Sequence, residues 1–484
     1  MPETNGHTVE KIGGTSIART DVVLENVLLT RDAVKAPYGR IFVVSAYAGM
    51  TDRLLEDKKT GAPGVYALFA GARNKWEWSD ALSEVAIAMQ RKNAEVLGDS
   101  PEREEADAFV RERVEGVRNC LIDLHRLCAY GQFRLDEHLA TVREMLAALG
   151  EVHSAHNTAA LLRQREVNAV CVDLTGWRCE RKLTLDERIQ EALERIDLAT
   201  QLPVVTGYAS CVDGLVSRFD RGYTEVTFSR IGALTGAREA IIHKEFHLSS
   251  ADPRLVGESR VRKIGATNYD VADQLSNMGM EAIHPKAAKG LRQASIPLRV
   301  RNTFDREDPG TVIRGDFRPA RARPEIVTGL RGVFALEVFE QDMVGVKGYD
   351  AEILAALTRH DIRIVSKCSN ANTITHYVDC PAGRAEQAAT ELDARFDGAE
   401  VGLRRLSIVS VIGANLDHAE LAAQATTALV EAKVPLLGLH RLTRGTDLQL
   451  MVAEADFDGA VRALHAALIE TRPADTLTDL DAAA

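Results

Sequence analysis

The chain lacks the marks of several large protein classes. No apolar run approaches the ~18 residues that span a bilayer. The first residues, Met1 to Thr8, are polar and lack the basic-then-apolar order of a signal peptide. The reading is a cytoplasmic protein with no membrane partner. Positive charge is in deficit: 59 basic against 70 acidic residues leave a net charge of -11. Such a balance gives no general attraction to nucleic acid, although a local basic pocket can still hold a phosphate. The seven cysteines, Cys120, Cys128, Cys171, Cys179, Cys211, Cys368 and Cys380, never form a C-x-x-C pair. A disulfide framework or zinc site is therefore not expected. The G-x-x-x-x-G-K-[ST] phosphate loop is missing, and no Ser-His-Asp or Cys-His arrangement stands out. His243 and His247 lie four apart in a strand-like stretch, which separates side chains by roughly 13 Å, so no metal site is read there. His153 and His156 fall on a helix, where a core or surface role is expected.

What is present is an ordinary globular composition, 45% hydrophobic and 27% charged over 484 residues. That length exceeds one core and predicts two or three domains. Short apolar runs at Val9 to Ile12, Ile41 to Val44, Pro203 to Thr206 and Ala240 to Ile242 read as buried parallel strands. Asp21 to Val34 has helical spacing. From Val65 to Leu162 the pattern is mostly helical, with Gly150 as a break. Strands alternating with helices predict an α/β domain, a three-layer αβα sandwich around a mostly parallel sheet.

Near Arg314 the character changes. Asp316 to Pro324, with two prolines and three arginines, reads as a linker. Beyond it the order is strand Phe334 to Phe339, helix Asp350 to Thr358, strands Ile362 to Ser366 and Thr373 to Val378, and helix Arg384 to Phe396. A similar order follows: strand Leu406 to Ile412, helix through Leu429, strands Leu436 to Leu439 and Leu448 to Val452, and helix Gly459 to Ile469. Two such units predict two ferredoxin-like modules. The expected division is 1–320, 321–400 and 401–484.

Two loops carry polar chemistry at strand ends, where open α/β sheets collect ligands, and a third polar cluster accompanies them. Lys11-Ile12-Gly13-Gly14-Thr15-Ser16 offers backbone N–H groups and a point charge to a phosphate, though a Gly-Gly turn alone is equally a plain loop. Ser45-Ala46-Tyr47-Ala48-Gly49-Met50-Thr51-Asp52 repeats the small, hydroxyl-bearing pattern; Thr51 could instead be a helix N-cap. Asp220-Arg221-Gly222-Tyr223-Thr224-Glu225 suits a zwitterion, with guanidinium for carboxylate and carboxylate for ammonium, or is a solvated surface turn. Ser249 to Arg254 is a turn with a further arginine.

Taken in order, these segments resemble the aspartate kinase family along almost the whole chain. The family K-F-G-G-T-S is matched by Lys11 to Ser16, S-A-x-x-G-x-T by Ser45 to Thr51, and a helix-opening Gly-Glu by Gly150-Glu151. Looser matches are G-R-G-G-S-D with Asp220 to Glu225, T-D-P-R with Ala251 to Arg254, and G-A-K-V-L-H-P with Gly279 to Pro285. The stretches His243 to Pro253 and Thr267 to Pro285 are similar to an ectoine-associated branch. Departures are clear: Glu281 replaces a lysine that faces ATP, Tyr223 replaces a glycine, Glu225 an aspartate, and Lys244 and Glu245 a threonine and an aspartate near the nucleotide.

The resemblance implies an amino-acid-kinase sandwich followed by two ACT modules. It implies transfer of the ATP γ-phosphoryl group to the side-chain carboxylate of L-aspartate, with Mg²⁺ bridging phosphates and no dedicated metal site. Lys11, Gly13 and Gly14 would face the transferred group. Ser45, Thr51, Glu151, Arg221, Gly222, Thr224 and Glu225 would hold aspartate, Glu151 taking its ammonium and Arg221 a carboxylate. Arg254, Lys244, Glu245 and Glu281 would stand near ATP, Lys244 supplying the charge lost at Glu281. The ACT modules imply an amino-acid effector, near Met343 to Asp350 and Ser366 to Asn372, and a homodimer or larger homo-oligomer. Two other readings stay open: a kinase of glutamate or acetylglutamate, and an inactive ACT-type sensor.

Overall fold

The computed structural model describes residues 6–30, 37–71, 76–219, 222–280, 283–319, 321–416, 419–441 and 443–472. Contacts group the chain into two compact units. One runs to His247 and adds His284–Gly315; the other is Leu248–Ile283 with the chain from Asp316 onward. The segment Leu248–Ile283, placed by the sequence in the N-terminal domain, thus packs with the C-terminal unit.

The first unit is built on strands β1 (Thr8–Ile12), β2 (Arg40–Val44), β3 (Ala169–Val172), β4 (Leu202–Thr206) and β5 (Glu239–Lys244). They pair in the order β3-β4-β2-β1-β5, all parallel. Leu298–Asn302 joins β5 in parallel, and Thr311–Arg314 adds antiparallel beyond it. Continuous apolar runs form these strands because both faces are covered: β1 and β4 are buried at every position. Ile12, Phe42, Val44, Leu202 and Val204 pack with Ala155, Ala159 and Leu162 of the helix Leu139–Arg163.

That helix corrects one expectation. Gly150 neither breaks nor opens it but lies in its interior. A Cβ there would stand 3.0 Å from the Ala46 Cβ and 3.2 Å from Leu54 Cδ1. The glycine permits close approach of the Ser45–Thr51 loop. It costs helix propensity, which neighbours buried from Leu146 to Leu162 offset through packing.

One charged network lies inside the sheet. The fully buried Glu10 on β1 accepts two bonds from Arg40, Nε to Oε1 at 2.7 Å and Nη2 to Oε2 at 2.9 Å. His243 Nε2 lies 2.8 Å from its Oε2. Burial pushes the Glu10 carboxyl up, yet Arg40 and His243 hold it well below the usual range. Glu10→Ala would leave Arg40 without its counter-charge. We expect a loss of about 3–5 kcal/mol of stability, read as a lower urea midpoint of unfolding. Because the folded value is depressed, Glu10 contributes fully above the ordinary carboxylate range and less as pH falls.

The second unit carries one six-stranded antiparallel sheet, ordered Arg363–Ser369, Thr373–Asp379, Arg323–Phe339, Glu400–Ala414, Asp447–Val452 and Gly438–Arg441. The expected repeat is visible, with helices Tyr349–Arg359 and Ala382–Arg395 in the first half and Ala419–Glu431 and Phe457–His465 in the second. The two halves share a sheet because Arg323–Phe339 pairs along Glu400–Ala414. The strand expected at Phe334 to Phe339 is 17 residues long and takes in Arg323 and Pro324. Asp316 to Pro324 is therefore not a free linker: Phe317 is fully buried, and the Arg323 guanidinium lies 5.0 Å from its ring centroid. Arginine-rich composition concealed buried residues. Ser250 Oγ, within the Leu248–Ile283 segment, lies 2.9 Å from His465 Nε2. Among the described residues, no helix is long and apolar enough to cross a membrane, and all seven cysteines are free.

Candidate active site

Four elements of the first unit converge at the carboxyl ends of β1, β2 and β4. The turn after β1 passes Gly13 and Gly14. A Cβ on Gly14 would stand 2.6 Å from the Ala46 carbonyl oxygen, so the turn and the loop after β2 touch backbone to backbone. Ser45 N–H donates to Ile12 O, and Ala48 N–H to Gly14 O. The helix Tyr223–Thr235 brings its first turn, and so its positive end, with Thr224 and Glu225. The helix Leu139–Arg163 brings Glu151.

Lys11 Nζ donates to Glu225 Oε1 at 3.1 Å, both side chains being buried. Glu225 Oε2 accepts the backbone N–H of His284 at 2.5 Å. Burial works against ionisation of Glu225, but Lys11 and then Lys244 hold its carboxyl below the ordinary range. Lys244, at the end of β5, thus belongs to the electrostatic environment of the Lys11–Glu225 pair. Next to it, Glu245 Oε1 accepts from Ser16 Oγ at 2.9 Å and would stand 3.9 Å from a Cβ on Gly13.

Glu151 is only 2% exposed. Its Oε1 accepts from Thr224 Oγ1 at 3.1 Å, while Oε2 has no partner. Burial pushes the carboxyl up to about 7, against the pull of the Ala46 N–H, the Thr224 and Tyr223 hydroxyls and Lys11. Gly207, just after β4, leaves room for this group: a Cβ there would meet Glu151 Oε2 at 2.3 Å and Thr224 Cγ2 at 2.4 Å. A buried acid with a bare oxygen and a raised pKa is the arrangement that gains most from an incoming cation.

Of the residues nominated from sequence, the fold brings Lys11, Gly13, Gly14, Ser45, Glu151, Thr224, Glu225, Lys244 and Glu245 to this edge of the sheet. Ser45 contributes its carbonyl oxygen, which accepts from Ser154 Oγ at 2.7 Å. Thr51 is the second residue of the helix Met50–Leu54. The N-cap is Gly49, in the left-handed region at φ 77°, so Thr51 does not cap it. Gly222 precedes the helix Tyr223–Thr235, and a Cβ there would meet His284 Cδ2 at 2.4 Å. Arg254 belongs to the second unit, where it ion-pairs with Asp252, the cap of the helix Pro253–Val256. Arg221 and Glu281 lie outside the described residues.

Sequence reasoning missed Gly207 and the His284 N–H. Only Gly207 left a signal, since it follows a buried strand at its carboxyl end. It also missed a cluster of His247, Asp305 and Asp308, whose ligand-type atoms lie within 4.8 Å of one another. His153, by contrast, is a core residue: its Nε2 lies 2.8 Å from Asn93 Oδ1, and burial lowers it to about 3.

Comparison with known proteins gives a consistent answer. Residues 7–302 match the amino acid kinase family. The aspartate kinase Ask_Ect of Stutzerimonas stutzeri is 50% identical over 464 residues, covering 96% of this chain and 98% of its own. Aspartokinase 3 of Arabidopsis thaliana, a chloroplast protein, is 23% identical over 97% of this chain and 83% of its own. The fold is shared with the aspartate kinase of Clostridium acetobutylicum, at a TM-score of 0.70 and 18% identity over 96% of this chain and 100% of that one. Aspartokinase III of E. coli, solved with lysine and aspartate, also scores 0.70, at 19% identity over 96% and 99%. With the family match spanning more than half of the chain and a half-identical relative spanning nearly all of it, this protein belongs to the aspartate kinase group of the amino acid kinase family.

Proposed function

We propose that the chain transfers the γ-phosphoryl group of ATP to the side-chain carboxylate of L-aspartate, giving 4-phospho-L-aspartate for the ectoine branch of aspartate metabolism. The observation that carries the substrate side is Glu151: a buried carboxylate with one bare oxygen, set among hydroxyls and one lysine. An ammonium is the group that completes it. The half-identical aspartate kinase supports the same substrate.

The chemistry asks little of acid–base groups. A side-chain carboxylate with an ordinary pKa near ~4 is already the nucleophile at neutral pH. Positioning and charge neutralisation remain. Lys11 faces the transferred phosphoryl, with the N–H groups of Gly13 and Gly14 beside it. Glu225, held ionised by Lys11 and Lys244, fixes the Lys11 ammonium in place before nucleotide arrives. Glu151 and Thr224 hold the ammonium of aspartate; Ser45, Thr51, Gly222 and Arg221 complete that shell. Lys244 and Glu245 serve the nucleotide. Magnesium suits a site rich in phosphate oxygen and water; Glu245, a hard oxygen donor beside Gly13, would hold it, and there it would neutralise phosphate charge. Residues 321–400 and 401–484 act as two ACT modules for an amino-acid effector, and the chain works as a homodimer or larger homo-oligomer in the cytoplasm.

Since burial raises Glu151 to about 7, it is protonated in much of the free enzyme below that pH and cannot take an ammonium well. kcat/KM for aspartate should therefore rise with pH through an acid limb near 7, because this parameter reports the free enzyme. The substrate test is ATP consumption with L-aspartate, L-glutamate or no amino acid. Turnover with aspartate only is expected; equal turnover with glutamate would contradict the reading.

A further inference from the structure

The first unit holds a cavity that the site described above does not use. It measures about 440 Å³ and lies between the helices Pro101–Cys128 and Leu139–Arg163 and the loops after β3 and β4. That is the size of a small-molecule site, commonly about 300–1,000 Å³. Its walls are mostly apolar: Val117, Met145, Leu149 and Val152 with the rings of Trp177 and Tyr208. Trp177 is set there by two clearances. A Cβ on Gly116 would stand 2.5 Å from Trp177 Cζ2, so the helix gives way to the ring. Gly176, just before it, has φ 70°, and a Cβ there would meet Ser210 Cβ at 2.9 Å. The Arg113 guanidinium lies over the indole, 4.7 Å from the ring centroid. Yet the indole Nε1 is buried and has no partner among the described residues.

The carboxylates nearby are already spent. Glu144, on the wall, accepts from Leu215 N–H at 3.2 Å, Ser217 N–H at 3.0 Å and the Ser217 hydroxyl at 3.1 Å. Asp173 accepts from Arg113 Nη2 at 2.5 Å, and from the N–H and hydroxyl of Thr175 at 2.8 and 2.6 Å. The Trp177 N–H left over is a donor only, so its complement is an acceptor. A buried N–H without a partner is a cost that an incoming oxygen removes. The cavity also backs onto the candidate active site. Ala148, Leu149 and Val152 belong to the helix that carries Glu151. Tyr208 follows Gly207, whose missing Cβ leaves room for Glu151. The Tyr208 ring meets that of Tyr223 edge to face, with centroids 5.9 Å apart at 81°. The next residue, Thr224, donates to Glu151 Oε1.

We propose that this cavity is an effector site within the first unit. It takes a small, largely apolar molecule whose oxygen acceptor meets the Trp177 N–H. Its occupancy holds Tyr208 and the helix Leu139–Arg163 in the arrangement that binds aspartate. The coupling rests on reading Glu151 as the holder of aspartate; the binding itself does not.

Calorimetric titration of the full-length enzyme would use three probes with one body: phenylacetate, phenylacetamide and 2-phenylethylammonium. The first two carry an oxygen acceptor, charged or neutral; the third carries only donors. Both oxygen-headed probes should bind, and the tighter of them tells a carboxylate ligand from a neutral carbonyl compound. The ammonium should bind at least about tenfold more weakly, because its head meets another donor. Trp177→Phe keeps a ring beneath Arg113 and removes the N–H, and should weaken both oxygen-headed probes about three- to tenfold. Ala148→Leu fills the cavity and should abolish their binding, with melting curves showing that both variants fold. Saturating L-aspartate should tighten phenylacetate about fivefold or more, and phenylacetate should tighten aspartate by the same factor. Aspartate titrated alone tests the reading of Glu151 separately: an enzyme that binds no aspartate sinks that reading and the coupling with it. Failure of both oxygen-headed probes to bind wild type, equal binding of the ammonium, or undiminished binding in Ala148→Leu overturns the site. Probe binding that aspartate leaves unchanged, in enzyme that does bind aspartate, overturns the effector role.

Discussion

Lys11→Ala is expected to lower kcat by about 10²–10³, the usual cost of removing one preorganised donor to transition-state charge. The residue sits buried at the end of β1, next to a glycine turn, with its ammonium 3.1 Å from Glu225. Its position is set by the strand and by that pair, so no reorganisation is needed when the phosphoryl group arrives. KM for ATP should change much less, because Lys244 and the turn remain. The variant also leaves Glu225 buried beside a missing partner. Lys244 and the His284 N–H still face it, so the fold should survive with a modest loss of melting temperature. Lys11→Arg is a useful companion. It keeps the charge but not the compact ammonium, and only partial rescue is expected. Rates and melting curves on the same preparations separate loss of chemistry from loss of fold.

Glu151→Gln is the second large effect. The substitution is nearly isosteric in a site where a Cβ on Gly207 would already clash at 2.3 Å, so packing should hold. It removes the charge that an ammonium requires. A buried hydrogen bond between charged groups is worth about 1.5–3 kcal/mol, and an unpaired buried ammonium costs more. kcat/KM for aspartate should fall by about 10²–10³, mainly through KM. The acid limb near 7 should vanish with the titrating group. The free variant should be as stable as wild type near neutral pH, since burial makes an ionised Glu151 costly to the fold. A large loss of stability at neutral pH would instead mark Glu151 as structural.

Much of the first unit was legible because buried parallel strands announce themselves. β1, β2, β4 and β5 lie within two residues of the apolar runs that suggested them. The second unit was legible as a repeat of element order, but not as a single shared sheet. That joining depends on pairing between strands about 75 residues apart, which no local pattern encodes. Gly150 misled because glycine inside a helix is read as a stop, while its cause here is close approach by Ala46 and Leu54. Arg323 and Pro324 misled because composition suggested solvent, while the arginine stacks on Phe317 and begins a strand. At the site, Lys11 could be nominated from a loop at a strand end and Thr224 and Glu225 from a polar cluster, while Glu151 came only with the family resemblance. The edge-to-face contact of Tyr208 with Tyr223 could not, because it joins the loop after β4 to the first turn of the helix Tyr223–Thr235.

The segment Leu248–Ile283 packs with the second unit. The Asp252-Pro253-Arg254 turn belongs to the same compact body as the ACT-like repeats, and Ser250 bonds His465 within it. Burial lowers the pKa of His465, so the fold prefers it neutral. That preference contributes stability above its ordinary value near ~6.5 and is lost as pH falls through the depressed one.

The central claim is formation of an acyl phosphate on aspartate. The most direct measurement is trapping with hydroxylamine: enzyme, ATP, magnesium and L-aspartate, with wild type and Lys11→Ala compared. The account predicts aspartyl hydroxamate from wild type, in step with ADP, and its near loss in Lys11→Ala. A well-folded wild type that yields no hydroxamate would contradict it and would favour an amino-acid sensor built on a kinase fold.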